Sequence, residues 1–87
     1  MHYVYILYSK KIERYYTGMT SQIEKRIESH NTGKSVYTKK GIPWELKWQS
    51  EGIAKKEAME LEKRIKKRGA SRFISDMRTK SGGHAWA

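Results

Sequence analysis

Runs of β-branched and aromatic residues, and one segment in which apolar and polar residues alternate, predict three β-strands. Residues 3–8 are β-branched and aromatic, a composition typical of a strand. Residues 15–19 form a second such run, in which Gly18 marks a bulge or a close approach of the backbone. The short polar connection between these runs predicts an antiparallel hairpin. Residues 44–48 alternate with the period of a half-buried strand.

Helical periodicity predicts three helices around these strands. Thr20 or Ser21 caps the first helix, and Glu24 completes a capping box with Ser21. The second helix covers about residues 55–68 and is followed by a glycine, and the third covers about residues 71–78. The element order is therefore β-β-α-β-α-α. We predict an α+β fold in which a three-stranded antiparallel sheet is flanked by helices.

A chain of 87 residues is long enough for one folded domain. We place that domain at residues 1–78 and expect residues 79–87, which include two adjacent glycines, to form a flexible tail. The absence of cysteine excludes disulfides and thiolate metal sites and fits a reducing compartment. The longest apolar stretch, residues 3–8, is too short to span a bilayer and lacks the basic region of a signal peptide. We therefore expect a cytoplasmic protein.

Basic residues outnumber acidic ones along the whole chain. There are 19 Lys and Arg against 9 Asp and Glu, which gives a net charge of +10. A small basic domain favours a polyanion, most often nucleic acid, although charge that serves only solubility is the simpler alternative. An anionic membrane is the weaker alternative, because no long basic amphipathic segment is present. The candidate substrate-binding residues are Lys34, Lys39 and Lys40 in the loop at residues 32–43 and Lys66 in the second helix.

The first helix carries two basic side chains on its apolar side. At about 100° per residue, one arc of the helix holds Ile23, Arg26, Ile27 and His30. Arg26 and His30 are one turn apart and therefore face the same way. Either Arg26 lays its aliphatic stem on the core and reaches water, or both groups belong to a functional site.

One carboxylate of the second helix lies on the flank of the apolar stripe of that helix. Glu62 adjoins Leu61 and Ile65 of the stripe, whereas Glu60 points to solvent. A buried carboxylate is costly unless a cation pairs with it. The cation is either Arg26 or a lysine in a structural salt bridge, or it is a divalent metal, since Mg²⁺ is often held by one carboxylate with waters and substrate phosphate.

Two tyrosines of the predicted hairpin, Tyr5 and Tyr16, are the third element of a candidate site. In a domain with 6 tyrosines, packing and strand propensity are the ordinary explanation for each of them. If the two phenols point to the same place as Arg26, His30 and Glu62, a role in a shared site is favoured over packing alone. Phenol, guanidinium, imidazole and carboxylate together are able to form a site that cleaves a phosphodiester.

These residues resemble the motifs of the GIY-YIG nuclease family, and in particular its small single-domain branch. The first motif corresponds to residues 3–5 (Tyr-Val-Tyr) and the second to residues 16–18 (Tyr-Thr-Gly). The helix signature corresponds to residues 26–30, and the metal-binding glutamate corresponds to Glu62. The resemblance extends over about residues 1–75. The chain also resembles the nuclease domains of two other kinds of family member, the bacterial excision-repair incision subunit and the homing endonucleases.

The resemblance implies hydrolysis of DNA phosphodiesters with one Mg²⁺ or Mn²⁺ ion. Tyr5 corresponds to the phenol that activates water, and Tyr16 to a second phenol that positions substrate or water. Arg26 corresponds to the residue that holds the scissile phosphate, and His30 to one that orients a phenol or accepts its proton. Glu62 corresponds to the metal ligand. Because a free phenol has a pKa of about 10, we expect Arg26 and the metal to lower the pKa of Tyr5.

Three functions remain open at this point. The first is a GIY-YIG-type endonuclease in DNA repair, recombination or processing, with DNA as its partner and a monomeric or weakly dimeric state. The second is a catalytically inactive nucleic-acid-binding module, because many family members have an asparagine downstream of the glutamate, whereas Asn31 lies upstream. The third is a protein-interaction subunit anchored by Trp44, Trp48 and Trp86, although core packing is the ordinary role of the first two.

Overall fold

The computed structural model describes residues 1–81 of the chain. Within these residues the strands and helices follow the predicted order. The elements are β1 (Tyr3–Ser9), β2 (Arg14–Thr20), α1 (Ile23–Asn31), a 3-10 turn (Lys39–Gly41), β3 (Glu45–Gln49), α2 (Lys55–Arg68) and α3 (Ala70–Ser81). The predicted α+β fold with a three-stranded antiparallel sheet is confirmed.

The central strand of the sheet is β1, with β2 and β3 antiparallel on its two sides. Residues Val4 to Leu7 are at most 1% exposed, because both faces of this strand are covered. The register pairs Tyr5 with Gly18 and Leu7 with Tyr16. Since directly opposed residues of antiparallel strands share a face, these paired positions define one face of the sheet.

Two apolar layers cover the two faces of the sheet. The layer on the side of α2 and α3 is built on buried residues of β1 and both helices: Val4, Ile6, Ala58, Ile65 and Phe73. The layer on the side of α1 is built on Tyr5, Leu7 and Trp44, with Ile23 and Ile27 packed against it. The first helix therefore lies on the face of the sheet that carries Tyr5.

A β-bulge between β1 and β3 separates the two tryptophans near the third strand. Strict alternation would place Trp44 and Trp48 on one face. The register instead shifts between Ile6, which pairs with Trp48, and Leu7, which pairs with Leu46. Trp44 packs in the layer of α1, whereas Trp48 packs in the layer of α2 and α3. The prediction that residues 44–48 present a single half-buried face is therefore wrong, because the bulge inserts one extra residue into β3.

The predicted capping box of Ser21 and Glu24 is also wrong. The first helix begins at Ile23, and its N-cap residue Gln22 makes no side-chain capping bond. The Thr20 hydroxyl instead accepts a hydrogen bond from the Gln22 backbone N–H at 3.1 Å. This local turn displaces the start of the helix, since side-chain bonds to nearby backbone compete with helix formation.

The second helix has the predicted bounds, and Gly69, which follows it, has a φ of +97° that favours glycine. The third helix continues to Ser81, beyond its predicted end near residue 78.

Residues 82–87, which make up most of the predicted tail and include Trp86, lie outside the described residues. No helix within residues 1–81 is both long enough and apolar enough to cross a bilayer.

Candidate active site

Tyr5 lies in the middle of the central strand, with its phenol over the backbone of Gly18 in β2. The Tyr5 side chain is 1% exposed. A Cβ atom built on Gly18 would lie 2.6 Å from Tyr5 Oη and 2.8 Å from Tyr5 Cζ, which is well inside ordinary van der Waals contact. Glycine is therefore required here, because the phenol occupies the space of a side chain.

His30, in the last turn of α1, is 1% exposed and has two hydrogen-bond partners. Its Nε2 atom is 2.9 Å from Tyr5 Oη, and its Nδ1 atom is 2.7 Å from Thr38 Oγ1. Burial lowers the pKa of His30, and the positive charge of Arg26 lowers it further. The imidazole is therefore neutral at neutral pH, and it donates one of these hydrogen bonds and accepts the other.

Tyr16 completes an aromatic cluster around the imidazole. Its half-buried ring has its centroid 4.9 Å from that of His30 and 6.3 Å from that of Tyr5. The Trp44 ring meets the Tyr16 ring edge-on at 6.3 Å. The two phenols selected from the sequence and the imidazole therefore lie together, on the face of the sheet covered by α1.

The pKa of the Tyr5 phenol is raised, which corrects the expectation from the sequence for the protein without a metal. Burial is the main cause, and the neighbouring Tyr16 raises the pKa further. Arg26 lowers the pKa of Tyr5, as expected, but its effect is smaller than that of burial. Tyr5 is therefore a protonated phenol at neutral pH.

Arg26 is exposed and borders a shallow hollow at the start of α1. The hollow has a volume of about 180 Å³ and is lined by Thr20, Ser21, Gln22, Lys25, Arg26 and Ser29. Arg26 is also close enough to Tyr5 to lower the pKa of the phenol. The guanidinium is thus accessible to a ligand from solvent and lies within electrostatic range of the buried groups.

Glu62, in the middle of α2, forms an ion pair with Lys66 one turn further on. Lys66 Nζ is 3.3 Å from Glu62 Oε2, and the two side chains are 59% and 22% exposed. The salt bridge with a lysine, one of the alternatives from the sequence, is therefore present. The negative charge of Glu62 also raises the pKa of Tyr5, so its carboxylate lies within electrostatic range of the phenol.

A metal ion at Glu62 would have a single carboxylate from the protein. Across the described residues 1–81, no group of three or more His, Cys, Asp and Glu side chains is placed to hold a metal. A hollow of about 320 Å³ is lined by Tyr15, Tyr16, Thr17, Lys66 and Ala70. Tyr16 and Lys66 therefore border the same space, which connects α2 to the aromatic cluster.

The lysines selected as substrate contacts lie on two elements of the fold. Lys34, Lys39 and Lys40 are exposed in the segment between α1 and β3, close in sequence to Thr38. Lys66 lies on α2 in the ion pair with Glu62. The first segment contributes Thr38, which bonds His30, and Lys66 of α2 borders the same hollow as Tyr16, so positive charge is present on two sides of the phenols.

Two residues that the sequence did not assign to the site hold it in place. Thr38 is 1% exposed and bonds His30 through its hydroxyl, while its carbonyl accepts a hydrogen bond from Trp44 Nε1 at 2.7 Å. Asn31 Oδ1 accepts from the Trp44 backbone N–H at 2.6 Å, and Asn31 Nδ2 donates to the Trp44 carbonyl at 3.1 Å. No periodic pattern in the sequence indicates these contacts of Thr38 and Asn31.

A hairpin with two phenols, packed against a helix that carries an imidazole and a guanidinium, defines a domain of the GIY-YIG class. The sequence model of the GIY-YIG catalytic domain matches residues 1–74 of this chain. The chain therefore belongs to the GIY-YIG family.

Small single-domain members of this family are similar to the chain. A UPF0213 protein of Oceanobacillus iheyensis is 44% identical over 66 residues, which are 75% of this chain and 76% of that protein. A UPF0213 protein of Bacillus licheniformis is 36% identical over 81 residues, which are 88% and 82% of the two chains. The solution NMR structure of a UPF0213 protein from Bacillus halodurans has a TM-score of 0.55 at 34% identity and covers 93% of this chain and 86% of that one. The predicted resemblance to the small branch of the family is confirmed.

We expect Gly18→Ala to displace the Tyr5 phenol, because the added methyl group would lie 2.6 Å from its oxygen. Overpacking of a filled interior costs about 1–3 kcal/mol, so the free energy of unfolding in urea should fall by that amount. The His30 ring ¹⁵N shifts should also change. Gly52→Ala is the control, since its new methyl group would meet the movable side chain of Met1. Unchanged stability and unchanged ring shifts in Gly18→Ala would contradict this account.

Thr38→Val keeps the shape of the side chain but removes the hydroxyl that bonds His30. A buried ring nitrogen then has no partner, which costs about 1–3 kcal/mol of unfolding free energy. Thr38→Ser retains the hydroxyl and should retain the ¹⁵N pattern of the His30 ring, which reports its tautomer. If Thr38→Val left both the stability and the tautomer of His30 as they are in the wild type, Thr38 would not be holding the ring.

Proposed function

We propose that this protein is a divalent-metal-dependent endonuclease that hydrolyses phosphodiester bonds of DNA. The observation that carries the proposal is the hydrogen bond between Tyr5 and His30, in a cluster to which Arg26 and Glu62 add charges of both signs. Membership of a family with a nuclease-type fold supports it, and the net charge of +10 supports a nucleic-acid substrate. We include in the proposal a role in DNA repair, recombination or processing, in the cytoplasm, as a monomer or weak homodimer.

Glu62 is the residue that would hold the metal. Mg²⁺ is commonly held by one or two carboxylates together with waters and substrate phosphates, and a single partly exposed carboxylate fits that pattern. When bound, Mg²⁺ or Mn²⁺ stabilises the charge that develops on phosphoryl oxygens. Lys66 must then release Glu62, and an exposed ion pair of this kind contributes only about 1 kcal/mol or less. The residues present therefore fit a divalent ion.

A phenol with a raised pKa acts as a base only if its own proton has a destination. His30 Nε2, 2.9 Å from Tyr5 Oη, provides it. As Tyr5 Oη takes a proton from the attacking water, the phenolic proton moves to the neutral imidazole, so no free phenolate forms. The water oxygen bonds to phosphorus while the bond from phosphorus to the leaving sugar oxygen breaks. That oxygen takes a proton from solvent, and the imidazolium of His30 afterwards returns its proton to solvent. Base assistance of this kind contributes about 10²–10⁴-fold in rate.

The remaining polar groups of the site would bind the substrate. Arg26 is exposed, and its planar guanidinium is suited to two parallel hydrogen bonds with a phosphate. Tyr16, packed against His30, would position substrate or water. Neighbouring phosphates would be neutralised by the predicted lysines: Lys34, Lys39, Lys40 and, once released from its ion pair, Lys66.

A nucleic-acid-binding module without catalysis is the second candidate. The ion pair of Glu62 with Lys66 favours it, because a carboxylate that a lysine already neutralises does not require a metal. The hydrogen bonds of Asn31 to the Trp44 backbone favour it as well, since the chain has no other asparagine to serve the site. This candidate predicts strongly salt-dependent binding of DNA and no metal-dependent cleavage.

Cleavage of a panel of single-stranded, duplex and branched DNA with Mg²⁺ or Mn²⁺ separates the two candidates. The wild type should cleave at least one substrate, Glu62→Gln should abolish cleavage because the metal ligand is lost, and Arg26→Ala should reduce the rate about 10²–10³-fold. Glu60→Gln, an exposed residue of the same helix, is the matched control and should retain activity. Cleavage that persists in EDTA or in Glu62→Gln would exclude the proposed enzyme, and binding without any cleavage would favour the second candidate.

The pH dependence of cleavage tests the proton path. His30 accepts a proton only in its neutral form, and burial lowers its pKa, so the rate should decline only below about pH 6.5. Between that lowered pKa and about 6.5, the unfolded chain binds a proton that the folded protein does not. The free energy of unfolding should therefore decrease on acidification through this window. His30→Gln should remove this decrease in the free energy of unfolding. If, on acidification, the cleavage rate of the wild type already declined at a pH above about 7, the assignment of His30 as the proton acceptor would be contradicted.

A further inference from the structure

The turn at residues 35–38 presents two apolar side chains to solvent. The Ser35 carbonyl accepts hydrogen bonds from the backbone N–H groups of Thr38 at 3.3 Å and Lys39 at 3.0 Å. Val36 and Tyr37 therefore occupy the corner positions of the turn, where Gly, Pro, Asn, Asp and Ser are preferred. These two side chains are 86% and 91% exposed. Residues that break a local rule at an exposed position are expected where a surface has a function.

The turn is firmly attached at its C-terminal end. Thr38 is 1% exposed. Its hydroxyl lies 2.7 Å from His30 Nδ1, and its carbonyl accepts hydrogen bonds from Trp44 Nε1 at 2.7 Å and from the Gly41 backbone N–H at 3.0 Å. Tyr37 precedes this anchor directly, so its ring is presented from a fixed base.

The anchor also limits the distance from Tyr37 to the proposed scissile phosphate. The path runs from Tyr37 to the adjacent Thr38, through His30, to Tyr5 Oη, and its two hydrogen bonds are 2.7 and 2.9 Å long. With adjacent Cα atoms about 3.8 Å apart, Tyr37 Cα lies within about 14 Å of Tyr5 Oη. Nucleotides of a stacked strand are spaced by about 3.4 Å, so this upper limit corresponds to roughly four nucleotides between Tyr37 and the Tyr5 phenol, where the proposed function places the reaction.

The charges around the tip indicate what it contacts. Lys34, Lys39 and Lys40 flank Val36 and Tyr37, and all three are exposed. Lysine is depleted at the centre of protein–protein interfaces, whereas aromatic side chains among basic ones are typical of surfaces that bind single-stranded nucleic acid. In a duplex the base faces are covered by their neighbours, so an exposed phenol ring finds a free base face only on an unpaired nucleotide.

We infer that Tyr37, supported by Val36, stacks on an unpaired base near the scissile phosphate, so that single-stranded or locally unpaired DNA is the preferred ligand. The inference rests on the proposed function for the position of that phosphate. The exposure of the turn, its attachment through Thr38 and its lysines are independent of catalysis.

Binding measured without cleavage tests the inference. Wild type and Tyr37→Ala are titrated in EDTA against three fluorescently labelled ligands of equal length: a single strand, its duplex and an abasic strand. Tyr37→Ala should weaken binding to the single strand by about fivefold to a hundredfold, the range expected for loss of one base–aromatic stack. Binding to the duplex and to the abasic strand should change less than about twofold, because neither offers a free base face.

Three further variants serve as controls. Tyr37→Phe retains the ring and should bind as the wild type does. Lys39→Ala should weaken binding to all three ligands alike, because it removes a phosphate contact. Met59→Ala removes an exposed apolar side chain of α2, which is 45% exposed, and should change nothing. Thermal unfolding should be the same for Tyr37→Ala and wild type, since the side chain is 91% exposed.

Several outcomes would overturn the inference. They are an unchanged affinity of Tyr37→Ala for the single strand, an equal loss on the duplex, a loss that persists on the abasic strand, and self-association without DNA that depends on Tyr37. The outcomes that would contradict the proposed function are different from these. If single strands bind through Tyr37 but nothing is cleaved with Mn²⁺, the inference stands and the nuclease does not. If DNA is cleaved and Tyr37→Ala binds all ligands normally, only the inference fails.

Discussion

The buried line of hydrogen bonds from Tyr5 through His30 to Thr38 is the constraint on which the rest of the structure depends. Each of these side chains is at most 1% exposed, and an unpaired polar group at that depth is costly. Throughout the part of the chain that is described, every buried side-chain polar atom has a partner. The line therefore fixes the central strand, the first helix and the following loop relative to one another. Gly18 is a further condition, because only its missing side chain leaves room for the phenol.

Burial divides the candidate site into a neutral interior and a charged edge. The pKa of Tyr5 is raised and that of His30 is lowered, mainly because both groups are buried, so neither carries a charge at neutral pH. Arg26 and Glu62 are more accessible. In the proposed mechanism, the neutral groups in the interior need only pass a proton along an existing hydrogen bond, whereas the charged groups at the edge would exchange partners with ions and phosphates from solvent. Each kind of chemistry is thus located where its desolvation cost is lowest.

The parts of this arrangement that follow from periodicity could be predicted from the sequence. The bounds of α2 and the place of Glu62 on its flank follow from one apolar stripe that ends at a glycine. The role of Thr38 could not, because a loop has no period and the partner His30 belongs to another element. The bulge that sends Trp48 to the opposite layer depends on strand register. The raised pKa of Tyr5 could not be predicted either, because it is caused mainly by burial of the phenol. The sequence pattern of a single strand does not show how deeply a side chain is buried when both faces of that strand are covered.

In the proposed mechanism the metal and the DNA strengthen each other's binding, and Lys66 explains why. In the free protein its ammonium lies 3.3 Å from Glu62, and the chain has a net charge of +10, so Lys66 and the positive field of the protein would both oppose the binding of a divalent ion. A phosphate held by Arg26 would reverse this situation, because its negative charge would attract the ion and would offer Lys66 another partner. The exchange costs little, since the existing ion pair is partly exposed. By thermodynamic linkage, the factor by which DNA tightens metal binding equals the factor by which the metal tightens DNA binding.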